Sequence, residues 1–311
     1  MVKKILAFYT RYFAIWVALF GIIAYWKPGP FVRVRGGMDW FFAATMFGIG
    51  AALELEDFKR IARKPAIVLI GMCVQYAIVP LGAYAIAKIF QLEPAITAGV
   101  ILTASAPGAM SSGVMNYIAK ADVAYSVSLT TVSTLIAPVM TPGLTYILAK
   151  SALPVPFWPM LIDVLLIVIG PLLIGFGVRC YFKGKIEKVL PVFPAVSATF
   201  IIFICSLVIA LNKNYLANMT GLILAVGLVL NIFGMVAGYA VAWIFRMDVR
   251  QRRTLSIEGG MQNAGLGTVL ALEHFGERAA MPAAIFVFIC IMTASMAAAV
   301  WQRRPAEPVA K

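Results

Sequence analysis

Along this chain, long apolar stretches alternate with short polar or basic connections, and little sequence lies outside them. A bilayer core of about 30 Å asks for roughly 20 apolar residues per helix. Apolar runs bounded by charged or Pro/Gly-rich breaks predict ten spans, at about 8–26, 36–54, 65–90, 94–119, 122–149, 155–179, 192–212, 218–245, 252–273 and 280–301. The second and ninth are the weakest, being rich in glycine and small residues. No connection is long enough to hold a separate soluble domain. The opening Met1-Val-Lys-Lys before an apolar run looks like a signal peptide, but Arg11 interrupts it and no small-x-small cleavage site precedes Trp26. It is expected to stay as the first helix.

Two of these spans are hostile to a continuous helix. The fourth contains Ala106-Pro-Gly-Ala-Met-Ser-Ser-Gly113 and the ninth Glu258-Gly-Gly-Met-Gln-Asn-Ala-Gly-Leu-Gly267. They are the fourth members of two sets of five, about half a chain apart. Because five is odd, the second set must enter the membrane from the opposite side. The predicted fold class is an all-α polytopic membrane protein: ten transmembrane helices in two inverted five-helix repeats, with helices 4 and 9 broken and crossing.

Composition agrees with that solvent. Of 311 residues, 62% are hydrophobic and 13% charged, with mean hydropathy +0.92; a soluble domain carries about a quarter charged residues. The net charge of +13 does not point to nucleic acid, because the basic residues sit in short connections rather than on one face of a soluble domain. Of the 26 Lys and Arg, 19 fall on the side that holds both termini and 7 on the other, which predicts cytoplasmic termini. The larger set comprises Lys3, Lys4 and Arg11; Lys59 to Lys64; Lys120; Arg179 to Lys188; Arg246 to Arg253; and Arg303 to Lys311. The four cysteines, Cys73, Cys180, Cys205 and Cys290, are scattered without metal-ligand spacing and read as small buried residues.

Chemistry concentrates where a helix breaks. Freed N–H and C=O groups inside hydrocarbon cost several kcal/mol each unless protein, water or ligand satisfies them. Glu258 opens the ninth-span break, and a carboxylate in a membrane helix needs a cation or a proton. Its plainer alternative is an interfacial pair with Arg253, about 7.5 Å away along a helix. For the fourth span the alternative is tight helix packing by small residues. In the fifth span Ser126, Thr130 and Ser133 share a face, while Thr131 and Thr134 point elsewhere; about half of these hydroxyls are expected to back-bond to the preceding turn. Gln75, mid-span, is either a ligand or a packing hydrogen bond. Asp163 lies early in its span, near the outer interface. His274 is a solvated loop residue or, less simply, part of a proton relay with Glu273 and Glu277. No zinc spacing, nucleophile elbow, P-loop or dinucleotide fingerprint occurs, so an enzyme is not expected.

Three segments, Ala106-Pro-Gly-Ala-Met-Ser-Ser-Gly-Val-Met, Asp122-Val-Ala-Tyr-Ser-Val-Ser-Leu-Thr and Ser256-Ile-Glu-Gly-Gly-Met-Gln-Asn-Ala-Gly-Leu-Gly, resemble the bile acid:sodium symporter family, in its bacterial type. The resemblance runs from Asp57-Phe-Lys-Arg to the tenth span. It implies one transporter unit over 1–311, with a panel domain from about 1–56 and 153–215 moving against a core domain from about 63–150 and 216–303. It also implies one or two sodium ions: one held by Ser112, Ser126, Thr130 and Glu258, the other by Gln75, Glu258, Met261, Gln262 and the carbonyl of Gly259. Asn263 would face the substrate. The chain departs from the pattern in three places. Gly113 stands where an asparagine is common, so a side-chain oxygen is missing there, which a carbonyl, Ser111 or water would replace. Met110 replaces a threonine near the substrate, and the tenth span reads Cys290-Ile-Met-Thr293 in place of a His-Asn pair, giving a more apolar pocket.

The expected function is sodium-coupled symport of an organic anion by alternating access, across the cell (inner) membrane. The anion is a small carboxylate such as pantoate or a 2-keto acid, or a bile-acid-like steroid. The expected partners are that anion and the lipid bilayer, with neither nucleic acid nor an obligate protein partner. The alternatives are a proton-coupled transporter in which Glu258 titrates, and a channel or non-transporting sensor.

Overall fold

A computed structural model describes residues 9, 13–109, 111–182, 186–187 and 189–303. The orientation signals at Lys3, Lys4, Arg11, Lys183, Lys185, Lys188, Arg304 and Lys311, and the N-terminal leader reading, lie outside these residues. Helices occupy every predicted segment: α1 Phe13–Trp26, α2 Met38–Ala52, α3 Leu55–Arg63, α4 Pro65–Ile89, α5 Pro94–Ser105, α6 Ser112–Ile118, α7 Val123–Ala149, α8 Phe157–Phe182, α9 Phe193–Leu211, α10 Lys213–Ile244, α11 Val249–Gly260, α12 Ala264–His274 and α13 Glu277–Gln302. By length and composition six of these are able to cross a membrane, α4, α7, α8, α9, most of α10, and α13. A seventh span results if the segment 35–52 and α3, bent by 72° at Ala52–Leu55, are one. The shorter apolar helices are 15–26 within α1, and α5. Large apolar side chains such as Val139, Leu166, Ile174, Val236 and Trp243 are exposed, the surface expected of a protein solvated by lipid.

The segment 55–63, expected as a basic connection, is instead the amphipathic helix α3. Glu54 N donates to Asp57 Oδ2 (2.9 Å) at its start, and Lys59–Glu56 and Arg60–Asp57 pairs run along its surface. The breaks are also narrower than the hostile stretches around them. Ser112 and Gly113 already belong to α6, and Gly259 and Gly260 still belong to α11, leaving 106–109, 111 and 261–263 outside helices among the described residues.

Small residues set the distances between helices. A Cβ on Gly50 would strike the carbonyl of Leu172, and one on Gly175 that of Phe47, so α2 and α8 pack backbone to backbone. The α10–α11 pair uses the same device, with Gly234 against the carbonyl of Gly259 and Gly238 against that of Leu255. Helix α13 packs on α5, α10 and α12, and α7 lies against α5, α6 and α11. Both broken segments thus sit inside a ring of longer helices. All four cysteines are free thiols.

Candidate ion site at the crossing of two broken helices

The two breaks meet. Ala109 N donates to Met261 O (3.1 Å) and Asn263 N to Pro107 O (2.7 Å), and Gly108 pairs with Gln262 in an antiparallel bridge. Pro107 has no N–H to give and Gly108 no side chain to place, so this stretch leaves helical geometry and offers its carbonyls sideways. Most of the groups freed by the breaks find partners. Gln75 Nε2 donates to Ala106 O (2.8 Å), Asn231 Nδ2 to Gly260 O (2.7 Å), and Ser133 Oγ accepts from Gly108 N (3.2 Å). The crossing is thereby affordable in hydrocarbon.

Glu258, on the last turn of α11, is buried directly beneath this bridge. A Cβ at Gly108 would lie 3.1 Å from Glu258 Oε2, so a larger residue would push the carboxylate back by a few tenths of an ångström. Ser126 Oγ donates to Oε1 at 2.5 Å, Asn116 Nδ2 donates to Oε1 at 3.1 Å, and Thr130 Oγ1 lies 3.3 Å from Oε2 while also bonding Ser126 O (3.0 Å). These partners are all neutral. Arg253, weighed as an interfacial partner, is buried and donates to Ala119 O (3.2 Å) and Trp301 O (3.3 Å). Ser112 joins Ser126, Thr130 and Asn116 as a side-chain hydrogen-bond partner of Glu258, and Asn116 Oδ1 is buried with no hydrogen-bond partner. A buried carboxylate ringed by hydroxyls, with an unused oxygen beside it, has the composition of a site for a small hard cation.

A second cluster adjoins the first. Gln75 lies in a π-helical turn of α4, Val74–Ile78, that carries its amide to the crossing. Its Nε2 also donates to Gln262 Oε1, and Gln262 Nε2 donates to Gly259 O (3.3 Å). Met261 O accepts the bridge hydrogen bond from Ala109 N, and its side chain is buried. Gly71, Val74, Gln75, Ser133, Glu258 and Gly259 line a narrow void between the clusters.

The sequence-predicted residues therefore divide. Ser112, Ser126, Thr130 and Glu258 come together, as do Gln75, Gly259, Met261 and Gln262. Gly113 stands beside open space, with nothing within 4 Å of a Cβ. Asn263 caps α12 by accepting from Leu266 N (3.1 Å), and Ser111 is the N-cap position of α6. Met110 lies outside the described residues. Cys290 is buried, its Sγ bonding Val287 O (3.3 Å), and Thr293 Oγ1 bonds Ile289 O (2.9 Å) in the preceding turn. Among the fifth-span hydroxyls, Ser128 and Thr134 bond carbonyls four residues back. His274 is not a loop residue: it ends α12, and its Nε2 lies 2.9 Å from Asp163 Oδ2. Asn116 and Asn231 escaped sequence reading. A buried amide in an apolar span was the available signal for both.

A family model described as the sodium bile acid symporter family matches residues 41–219. The chain is 37% identical over 304 residues to the uncharacterized sodium-dependent transporter YocS of Bacillus subtilis, covering 98% of this chain and 95% of that one. It is 34% identical over 295 residues to the probable chloroplastic sodium/metabolite cotransporter BASS1 of Arabidopsis thaliana, covering 94% of this chain and 73% of that protein. A rice protein described as the probable chloroplastic sodium/metabolite cotransporter BASS2 is 32% identical over 306 residues, 97% of this chain and 73% of its own length.

Proposed function

Because the chain belongs to the sodium bile acid symporter family, a family of sodium-dependent transporters rather than enzymes, we propose that it carries an organic anion into the cell with sodium by alternating access. The observation that carries this reading is Glu258 buried among neutral donors beneath the crossing of two broken helices. An ionised carboxylate in such surroundings is destabilised by several kcal/mol until a cation joins it. Sodium at Ser112, Ser126, Thr130 and Glu258 supplies that charge. A second ion at Gln75, Gly259, Met261 and Gln262 would replace the amide-to-amide contact between Gln75 and Gln262.

In the proposed arrangement ten crossings form two inverted sets of five, with both termini cytoplasmic in the cell membrane. The segments at about 63–150 and 216–303 act as a core moving against a panel built from about 1–56 and 153–215. The substrate is a carboxylate such as pantoate or a 2-keto acid, or a steroid acid. Its anionic group lies at the N-terminal end of α12, whose first amides carry partial positive charge. Asn263 orients that end, and Ser111, Cys290 and Thr293 contribute an uncharged surround for the rest of the molecule. Binding is coupled because sodium neutralises Glu258 and fixes the half-helices that meet the anion.

The test is uptake of labelled organic acids into proteoliposomes under an imposed sodium gradient. Wild type is expected to accumulate a subset of acids and to show saturable counterflow, and Glu258→Gln to lose sodium-driven uptake by at least 100-fold. Uptake that follows a pH gradient and ignores sodium would assign Glu258 to a proton instead. Flux without counterflow would mark a channel.

A further inference from the structure

Asn116 lies one helical turn beyond Gly113 on α6 and is completely buried. Its Nδ2 donates to Glu258 Oε1 (3.1 Å), Ser126 Oγ (3.0 Å) and Ser112 O (3.0 Å). Its Oδ1, equally buried, accepts nothing, while the neighbouring Ser112 hydroxyl is engaged with Glu258. Gly113, one turn back on the same helix, has nothing within 4 Å of the position a Cβ would take. An amide carries donors and an acceptor on one rotor, and its terminal torsion is broad and nearly two-fold.

We infer that Asn116 is a cation ligand of the Glu258 site, supplying the oxygen missing at Gly113, and that the same amide holds the carboxylate when the cation leaves. The inference rests on the sodium reading of that site. The NH2 group and Ser126 Oγ donate to Glu258, the arrangement we assign to the carrier before sodium enters. With sodium bound, those donors would face a positive ion, so the amide turns over and presents Oδ1 beside Ser112 Oγ. The exchange needs side-chain rotation only. It lowers, without cancelling, the cost of the buried carboxylate in an empty carrier during its return across the membrane, a step that a charge with no donors would obstruct further. An asparagine at 113 would restore the usual pattern, and the open space there can accept one.

The test is thermal melting of the purified full chain in detergent across a sodium titration, with potassium holding ionic strength constant. Wild type is expected to gain stability with sodium, and Glu258→Gln to lose that gain. Asn116→Ala should raise the half-saturating sodium concentration at least 10-fold, and Gly113→Asn added to it should recover most of that loss. Asn116→Asp keeps the oxygens but removes the donors. It should therefore melt below wild type in potassium and gain more from sodium than wild type does. Recovery of the Asn116→Ala sodium titration by Gly113→Asn is the readout that a purely structural amide would not move. If Asn116→Ala does not fold, the aspartate and double variants decide. Asn116→Ala titrating like wild type, or Asn116→Asp with no wider sodium gain, overturns the inference and leaves the Glu258 site standing. A wild type indifferent to sodium overturns both.

Discussion

Ser126 and Ser128 are two residues apart on α7, yet their hydroxyls do different things. Ser126 Oγ donates to Glu258 at 2.5 Å, while Ser128 Oγ bonds Ala124 O one turn back. Ser126 Oγ is also one of the oxygens assigned to sodium, and a hard cation loses affinity with each oxygen ligand removed. Loss of that ligand outweighs loss of the donor to Glu258, so Ser126→Ala is expected to weaken sodium binding by roughly 10-fold. Ser128→Ala should shift it less than about 2-fold, because its hydroxyl back-bonds to its own helix. Sodium titrations of transport and of melting read both; equal effects would mean that the helical face has been assigned wrongly. Glu258 was legible in the sequence because a carboxylate in an apolar run has few uses. Ser126 and Thr130 were legible from helical spacing. Asn116 and Asn231 were not, since their roles depend on which break they face, and that is set by packing between segments distant in the chain.

At the scale of elements, the apolar runs placed the helices well because bilayer thickness fixes their length, and Pro/Gly content marked both breaks. Two features lay beyond that pattern. The π-helical turn that aims Gln75 has no local sequence signature, and α3 is too short and polar to register as a span. Glycines are likewise ambiguous from sequence, and the structure separates them. A Cβ at Gly234 would collide with the carbonyl of Gly259, whereas one at Gly113 meets nothing within 4 Å. Gly234→Ala is expected to destabilise the protein by about 1–3 kcal/mol through overpacking. It should also impair transport, because Gly259 neighbours the ion site. Gly113→Ala should be neutral or stabilising by up to about 1 kcal/mol from helix propensity. Melting temperatures of the two variants check this, and the prediction fails if they move together.

For the whole molecule, an inverted arrangement makes a claim about sidedness. Lys120 and Lys150 flank α7, with Lys88 and Arg246 at the ends of α4 and after α10. In a background lacking Cys73, Cys180, Cys205 and Cys290, single cysteines replacing Lys88 or Lys150 are expected to react with a membrane-impermeant thiol reagent from outside the cell. Those replacing Lys120 or Arg246 should react only from the cytoplasm. Labelling of the Lys120 and Lys150 positions from one side would remove α7 as a crossing and with it the ten-span arrangement. The sidedness expected from the sequence rests on basic residues marking cytoplasmic connections. The meeting of the two breaks was an expectation of symmetry, and only three-dimensional packing joins them through the hydrogen bonds at Pro107, Ala109, Met261 and Asn263.

That joint is made of main-chain atoms, and every amino acid carries the same ones. Selection can therefore exchange the side chains around it without dismantling the frame. The pairing of Gly108 with Gln262 asks nothing of the side chains beside it. A transporter lineage built this way is free to change what it carries while the crossing itself is inherited intact.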